Sequence, residues 1–167
     1  MEFSYTTFKT QIGYLYIEAT KENVIKVNWT NKKKDSTTKA SSSILMEAKK
    51  QIDFYLKGKK INFDLPLKPY GTKFQKKTWS YIKKIKWGKQ KSYKDISKKV
   101  FKKKVLMGPR AIGNACLSNP ILILIPCHRV IYSNGGLGGY NNKISKKKKL
   151  LILERNLISF LKYYSWF

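Results

Sequence analysis

Asn119-Pro120-Ile121-Leu122-Ile123-Leu124-Ile125-Pro126-Cys127-His128-Arg129-Val130 is the stretch on which the reading of this chain turns. Five aliphatic residues run unbroken between two prolines, a pattern that belongs in a protein interior. Pro126 ends the run, because proline has no amide donor and restricts the residue before it. Cys127 and His128 follow at once, and His128 is the only histidine in the chain. A thiol is a nucleophile as its thiolate. An imidazole can take the proton, and a carboxylate can orient and charge-stabilise that imidazole. The competing reading is a cysteine buried as one more small hydrophobe, and the Cys-His pair alone leaves the two open. Adjacent side chains of an extended segment point to opposite faces, so a bridging water suits the pair better than a direct hydrogen bond. The other cysteine, Cys116, sits between Ala115 and Leu117 and reads as packing.

The 167 residues are 42% hydrophobic and 14% aromatic, enough for a packed core in one domain or two small ones. No apolar run is long enough to span a bilayer and no leader is recognisable, so a membrane partner is not expected. Two cysteines do not make a disulfide scaffold, which points to a reducing, cytoplasmic setting. The net charge is +27, and it is unevenly placed. Residues 1–68 carry 13 Lys/Arg and 7 Asp/Glu, while residues 69–167 carry 23 Lys/Arg and only 2 Asp/Glu, Asp95 and Glu154. So basic a half calls for a polyanion, nucleic acid above all. A general lysine bias would not create the asymmetry. The two acids kept there are either functional or partners of a salt bridge.

Residues 1–30 are rich in β-formers and predict two or three antiparallel strands. Residues 31–43 read as a polar loop. Helical spacing follows over 44–56, with Ser43 as the expected cap and Gly58 beyond the end. Residues 61–65 alternate like a short strand, and Pro66 to Gly71 reads as a linker, which places a domain boundary between 68 and 69. Residues 1–68 show no chemistry and are expected to be a scaffold. Beyond them, helices are predicted over 72–87 (cap Thr72), 92–100 (cap Ser92, with Asp95 at its third position) and 109–117, with proline at the tolerated start of the last. Two short helices joined by a basic turn are a helix-turn-helix candidate. Gly113, Ala115 and Cys116 would let the second helix approach a neighbour or a DNA backbone closely. Gly135, Gly136, Gly138 and Gly139 make a tight loop, either a cradle for a flat ligand or an ordinary turn. A final helix is predicted over 144–161, with Lys146 to Lys149 near its start, where a DNA phosphate or plain solvent would face them. The aromatic tail 160–167 reads as packing or interface.

Taken together, Gly71-Thr72-x-Phe74-Gln75-x-x-x-Trp79, Gly88-x-x-x-Ser92-Tyr93, Arg110-Ala111-Ile112-Gly113-x-Ala115, Asn119-Pro120, Pro126-Cys127-His128-Arg129-Val130, Gly135, Gly139-Tyr140 and Leu150-Leu151-x-x-Glu154 resemble the O6-alkylguanine-DNA alkyltransferase family. These motifs lie in order over residues 70–155. The resemblance implies an α+β fold: a small N-terminal antiparallel sheet with a helix (ribonuclease H-like), then a mostly helical C-terminal domain with a winged helix-turn-helix-like DNA-binding unit. It implies that Cys127 accepts the alkyl group irreversibly, that His128 acts as base through water, that Glu154 orients His128, and that Asn119 braces the turn. Tyr93, Val130, Tyr140 and Asn141 would bind the flipped base, while Arg110, Ala111, Gly113 and Lys147 would contact DNA. The implied partner is double-stranded DNA containing O6-alkylguanine, with O4-alkylthymine as a further substrate to test; no cofactor is implied, and a monomer is expected. Some members hold a zinc ion in the N-terminal domain; with no Cys or His in residues 1–115, this chain has no ligands for one. The chain departs from the family pattern in a longer turn before Arg110, in Pro109, in Cys116 where larger apolar side chains are common, and in Asn142 where glycine is frequent. Two other readings stay in view. One is a non-transferring lesion sensor or helix-turn-helix DNA-binding protein, against which Cys127 speaks. The other is a Cys-His hydrolase, which leaves Arg110 and the charge asymmetry without a purpose.

Overall fold

The computed structural model describes residues 3–31, 42–102, 108–140 and 143–155. β1 (Ser4–Thr10), β2 (Gly13–Ala19) and β3 (Val24–Thr30) form an antiparallel sheet in sequential order. Alternation puts Leu15, Ile17 and Ala19 of β2 on the buried face, beside Val27 and Trp29 of β3. α1 (Ser43–Leu56) covers that face with Leu45, Ala48, Ile52, Tyr55 and Leu56. Its cap is Ser42, one residue before the expected Ser43: the Ser42 hydroxyl accepts from the Leu45 amide, three residues on, as an N-cap does.

The predicted strand over 61–65 does not form. The outer edge of β3 is taken elsewhere, by single-residue parallel bridges from two distant segments. Val24 pairs with Leu67, and Val27 pairs with Ile121. Val27 donates to the Pro120 carbonyl and accepts from Leu122, both at 2.9 Å. With that edge occupied, Asp64 has the Gln51 side chain as its hydrogen-bond partner instead. The aliphatic run is therefore docked on the N-terminal sheet by its first residue and buried along its length.

α2 (Lys73–Lys83) starts with a capping box between Thr72 and Gln75. It ends four residues short of the expected 87, so that Trp87 turns edge-on to Tyr55 of α1. Ser92 and Asp95 form a second capping box at the start of α3 (Tyr93–Phe101). α4 (Gly108–Leu117) packs on α3 and α2. The Trp79 indole donates to the Ala115 carbonyl at 2.8 Å and fastens α2 to α4. β4 (Lys91–Ser92) and β5 (Val130–Ile131) are a two-residue parallel pair that joins the start of α3 to the segment after His128. α5 (Ile144–Glu154) ends at Glu154, where Arg155 turns extended; residues 156–161 of the expected helix lie outside the described residues. The expected contents of residues 32–41, the longer turn at 103–107, Asn141, Asn142 and the tail lie outside the described residues. Among the described residues no helix is long and apolar enough to cross a membrane.

Trp79→Phe leaves the buried Ala115 carbonyl unpaired and is expected to lower stability by about 1–3 kcal/mol. A urea unfolding curve that superposes on the wild type would contradict that role.

Candidate active site

The turn that carries Cys127 is built by two tight backbone reversals. Leu124 donates to the Leu122 carbonyl around Ile123, whose φ is +72°. A β-branched residue in the left-handed region costs about 1–2 kcal/mol and persists only where its surroundings enforce it. Pro126, at φ −80° and ψ 63°, makes an inverse γ-turn in which Cys127 donates to the Ile125 carbonyl at 2.8 Å. Asn119 spans the reversal. Its amide donates to the Ile125 carbonyl at 2.8 Å and to Cys127 Sγ at 3.1 Å, and its oxygen accepts from the Ile121 amide. Cys127 to Arg129 form one turn of 3-10 helix instead of continuing extended, so the opposite-face argument for Cys127 and His128 does not hold.

His128 is wholly buried. Its Nε2 lies 2.8 Å from Glu154 Oε1 and 3.2 Å from the Tyr55 hydroxyl, while Nδ1 is buried with no protein hydrogen bond. A carboxylate accepts, so Nε2 carries the hydrogen and the Nδ1 lone pair is free. Burial lowers the His128 pKa, although Glu154 pulls the other way. Burial would raise the Glu154 carboxyl, but His128 and Arg129 outweigh it and hold it at about 2. Arg129 Nε reaches both oxygens at 3.0 Å, and its Nη2 reaches Oε1 at 2.8 Å. The Gly88 amide supplies Oε2 at 3.2 Å. Gly88 has φ +69°, and a Cβ there would stand 3.3 Å from the Glu154 carbonyl, so the close approach calls for glycine.

The Cys127 thiol is 1% exposed. Burial pushes its pKa well up, as does a hydrogen bond with Cys116, while the Asn119 amide and the Lys147 charge draw it down. The resting group is a thiol, and a base must take its proton when it reacts. The next residue, His128, carries the buried Nδ1 that has no protein partner.

Lys147 is not on the DNA-facing surface its sequence position suggested. It is fully buried, its ammonium donates to the Val130 carbonyl at 2.5 Å and lies 5.7 Å from the Tyr93 ring, and burial brings its pKa down to about 8. The cause is the helix register: Lys147 shares the inward face of α5 with Leu150, Leu151 and Glu154. Lys146 likewise bonds the Ile12 carbonyl rather than facing outward. Val130 and Tyr140 are buried near the thiol.

A cavity of about 370 Å³ opens beside this cluster, lined by Tyr93, Arg110, Gly113, Asn114, Leu117 and Tyr132 among others. Tyr93 lines the cavity, and burial pushes its phenol pKa up, with smaller contributions from the charges of Cys116, Tyr132 and Cys127. Its hydroxyl leaves no room for a Cβ on Gly138, which has φ +67°. Arg110 and Ala111 sit at the start of α4, Arg110 exposed, and the space in front of Gly113 is open. Sequence reasoning missed Tyr55, Tyr132 and the ion-pair role of Arg129. Arg129 alone left a signal, in its place beside the single histidine.

Residues 73–156 match the family model described as 6-O-methylguanine DNA methyltransferase, DNA binding domain, and residues 3–69 match its ribonuclease-like domain. A methylated-DNA–protein-cysteine methyltransferase of Metallosphaera sedula is 35% identical over 92% of this chain and 94% of its own. The constitutive methylated-DNA–protein-cysteine methyltransferase of Bacillus subtilis is 36% identical over 90% of this chain and 94% of its own. Among solved structures, Mycobacterium tuberculosis OGT in complex with DNA aligns with a TM-score of 0.77 at 30% identity, over 90% of this chain and 91% of that one.

Acid should weaken this arrangement in two stages. The buried imidazole resists a proton that an exposed histidine takes near its ordinary 6.5. Glu154 stays ionised between its ordinary 4.5 and about 2. The unfolded chain then binds more protons, so stability falls with falling pH. The melting temperature is expected to decline from about pH 6.5 downward and more steeply below about 4.5; a flat curve from about pH 7 to 5 would contradict the neutral buried imidazole. Asn119→Ala is expected to cost about 2–3 kcal/mol and to slow alkylation of Cys127 by iodoacetamide, read by intact mass. Unchanged labelling would mean that the amide does not tune the thiol.

Proposed function

The chain belongs to the 6-O-methylguanine DNA methyltransferase family, and we propose from that premise that it repairs DNA by moving the alkyl group of O6-alkylguanine onto its own Cys127. The observation that carries this reading is the His128 ring, held on Glu154 by Nε2 with Nδ1 left free, on the residue next to Cys127.

His128 Nδ1 takes the Cys127 proton through a water molecule, and Glu154 stabilises the imidazolium that results. The thiolate attacks the alkyl carbon, the S–C bond forms, and the C–O6 bond breaks with its electrons going to the base. The proton from the thiol returns to the purine, which leaves as guanine. Water does not cleave the thioether, so one chain repairs one lesion and no cofactor takes part. The thiol is buried, so a base in a duplex must first be rotated out of the stack. Arg110, exposed at the start of α4, fills the gap it leaves, and Ala111 and Gly113 let the helix lie close to the minor groove. Tyr93, Val130, Tyr140 and Asn141 receive the base, and the cavity of about 370 Å³ is ample for a purine with a small adduct. Lys147 acts from the buried side of the Tyr93 ring instead of on a phosphate. The basic excess supplies affinity that is independent of sequence and sensitive to salt. We assign residues 1–68 to a scaffold domain and 69–167 to a DNA-binding, active-site domain; the two family models, ending at 69 and starting at 73, support this division. The chain acts as a monomer on double-stranded DNA in the reducing cytoplasm, where its thiols stay free.

Incubation with excess duplex bearing one O6-methylguanine is expected to add a single methylene-sized mass to Cys127 and then to stop. Tight lesion binding without a mass gain would favour the sensor reading. Cys127→Ala should bind the lesion and transfer nothing. Arg110→Ala should slow repair of duplex far more than reaction with the free O6-methylguanine base, and equal losses on both would remove its flipping role.

A further inference from the structure

Tyr55 belongs to α1, within the scaffold segment whose sequence shows no chemistry of its own, yet its hydroxyl reaches the reaction centre. It donates to Glu154 Oε1 at 2.7 Å and lies 3.2 Å from His128 Nε2. The side chain is 0% exposed, and its ring is set by the edge of Trp87 at 5.0 Å and by Phe63 at 5.4 Å. Packing accounts for the ring and leaves the oxygen without a purpose, since a phenylalanine would fill the same space. A buried hydroxyl costs free energy unless it is bonded, and this one is spent wholly on the His128–Glu154 pair.

The geometry fixes what the hydroxyl can do. Its hydrogen is committed to Glu154, so its lone pairs face His128 Nε2. Nε2 thus meets two acceptors, a carboxylate oxygen and a phenol oxygen. A hydrogen on Nε2 satisfies both, whereas a lone pair there would be repelled by both. Glu154 Oε1 also accepts from Arg129 Nε and Nη2, and the Arg129 fork by itself would set the carboxylate by its own geometry. Tyr55 pulls Oε1 from a distant element, 99 residues away along the chain.

We propose that Tyr55 is a positioning residue of the transfer reaction: its hydroxyl holds Glu154 Oε1 against His128 and enforces the tautomer that leaves the Nδ1 lone pair for the thiol proton. The N-terminal sheet-and-helix unit thereby supplies part of the base. Burial pushes the phenol up, so it stays a donor throughout the working pH range.

His128 is the only histidine, so the imidazole region of a ¹⁵N long-range spectrum of the full chain holds one pair of ring nitrogens. The wild type is expected to show a neutral Nε2–H tautomer at pH 7. Tyr55→Phe should show a mixed population with Nδ1–H, together with a roughly tenfold slower transfer. An Nδ1–H tautomer in the wild type overturns the proposal without any variant. So does a Tyr55→Phe protein whose tautomer is unchanged, whether its rate falls or not, because a merely structural loss would lower stability and leave the ring as it was. The proposal rests on the alkyl-transfer reading, but the tautomer is seen in free protein, so absence of transfer in the wild type would sink that reading separately.

Discussion

A single buried carboxylate holds this molecule in its working form. Glu154 is withdrawn from water, and a lone charge there would be untenable. It is kept ionised by Arg129, by the Gly88 amide, by His128 and by Tyr55. Those partners come from the segment before α3, from the turn after the aliphatic run and from α1. Each of these elements is tied into the core partly through the one acid at the end of α5. Removing one partner of such a set is costly because the others are left facing an uncompensated charge. The charge also favours a proton on the neighbouring imidazole, against the pull of burial.

The same burial makes the thiol quiet at rest. A cysteine in an apolar pocket is a poor thiolate, and neighbouring Cys116 adds to that. Asn119 and Lys147 act against it, one by a hydrogen bond and one by charge. The outcome is a thiol that is little exposed to stray electrophiles. Lys147 belongs to this balance: a lysine inside a protein is expensive, and here it sits on a carbonyl and over the Tyr93 ring, beside the group whose charge it favours.

How much of this was legible in the sequence depended on how local each signal is. Cys127, His128 and the aliphatic run before them could be read together because they are contiguous. Glu154 stood out by charge alone, as one of two acids in a basic half. Thr72, and Ser92 with Asp95, announced their helices because a cap is a device of a few consecutive residues; the part played by Gln75 appeared only in the structure. Lys147 misled because a run of four lysines hides which of them faces inward, and only the register of α5 decides it. The segment 61–65 misled because alternation says nothing about whether a strand edge is free. Tyr55 was illegible, since its partners lie far along the chain and α1 is an ordinary amphipathic helix by pattern.

The bridges from Val27 to Ile121 and from Val24 to Leu67 bear on the order in which the molecule comes into being. β3 is made early in synthesis, and its edge waits for residues made much later. Closing so long a loop carries an entropic cost that must be met before the contact repays it. Glu154, the hydrogen-bond partner of His128, lies later still, at the end of α5. A nascent chain therefore holds Cys127 and His128 without Glu154 until α5 has emerged. A chain cut short before α5 carries Cys127, His128 and Arg129 but lacks the carboxylate that holds the imidazole and the guanidinium.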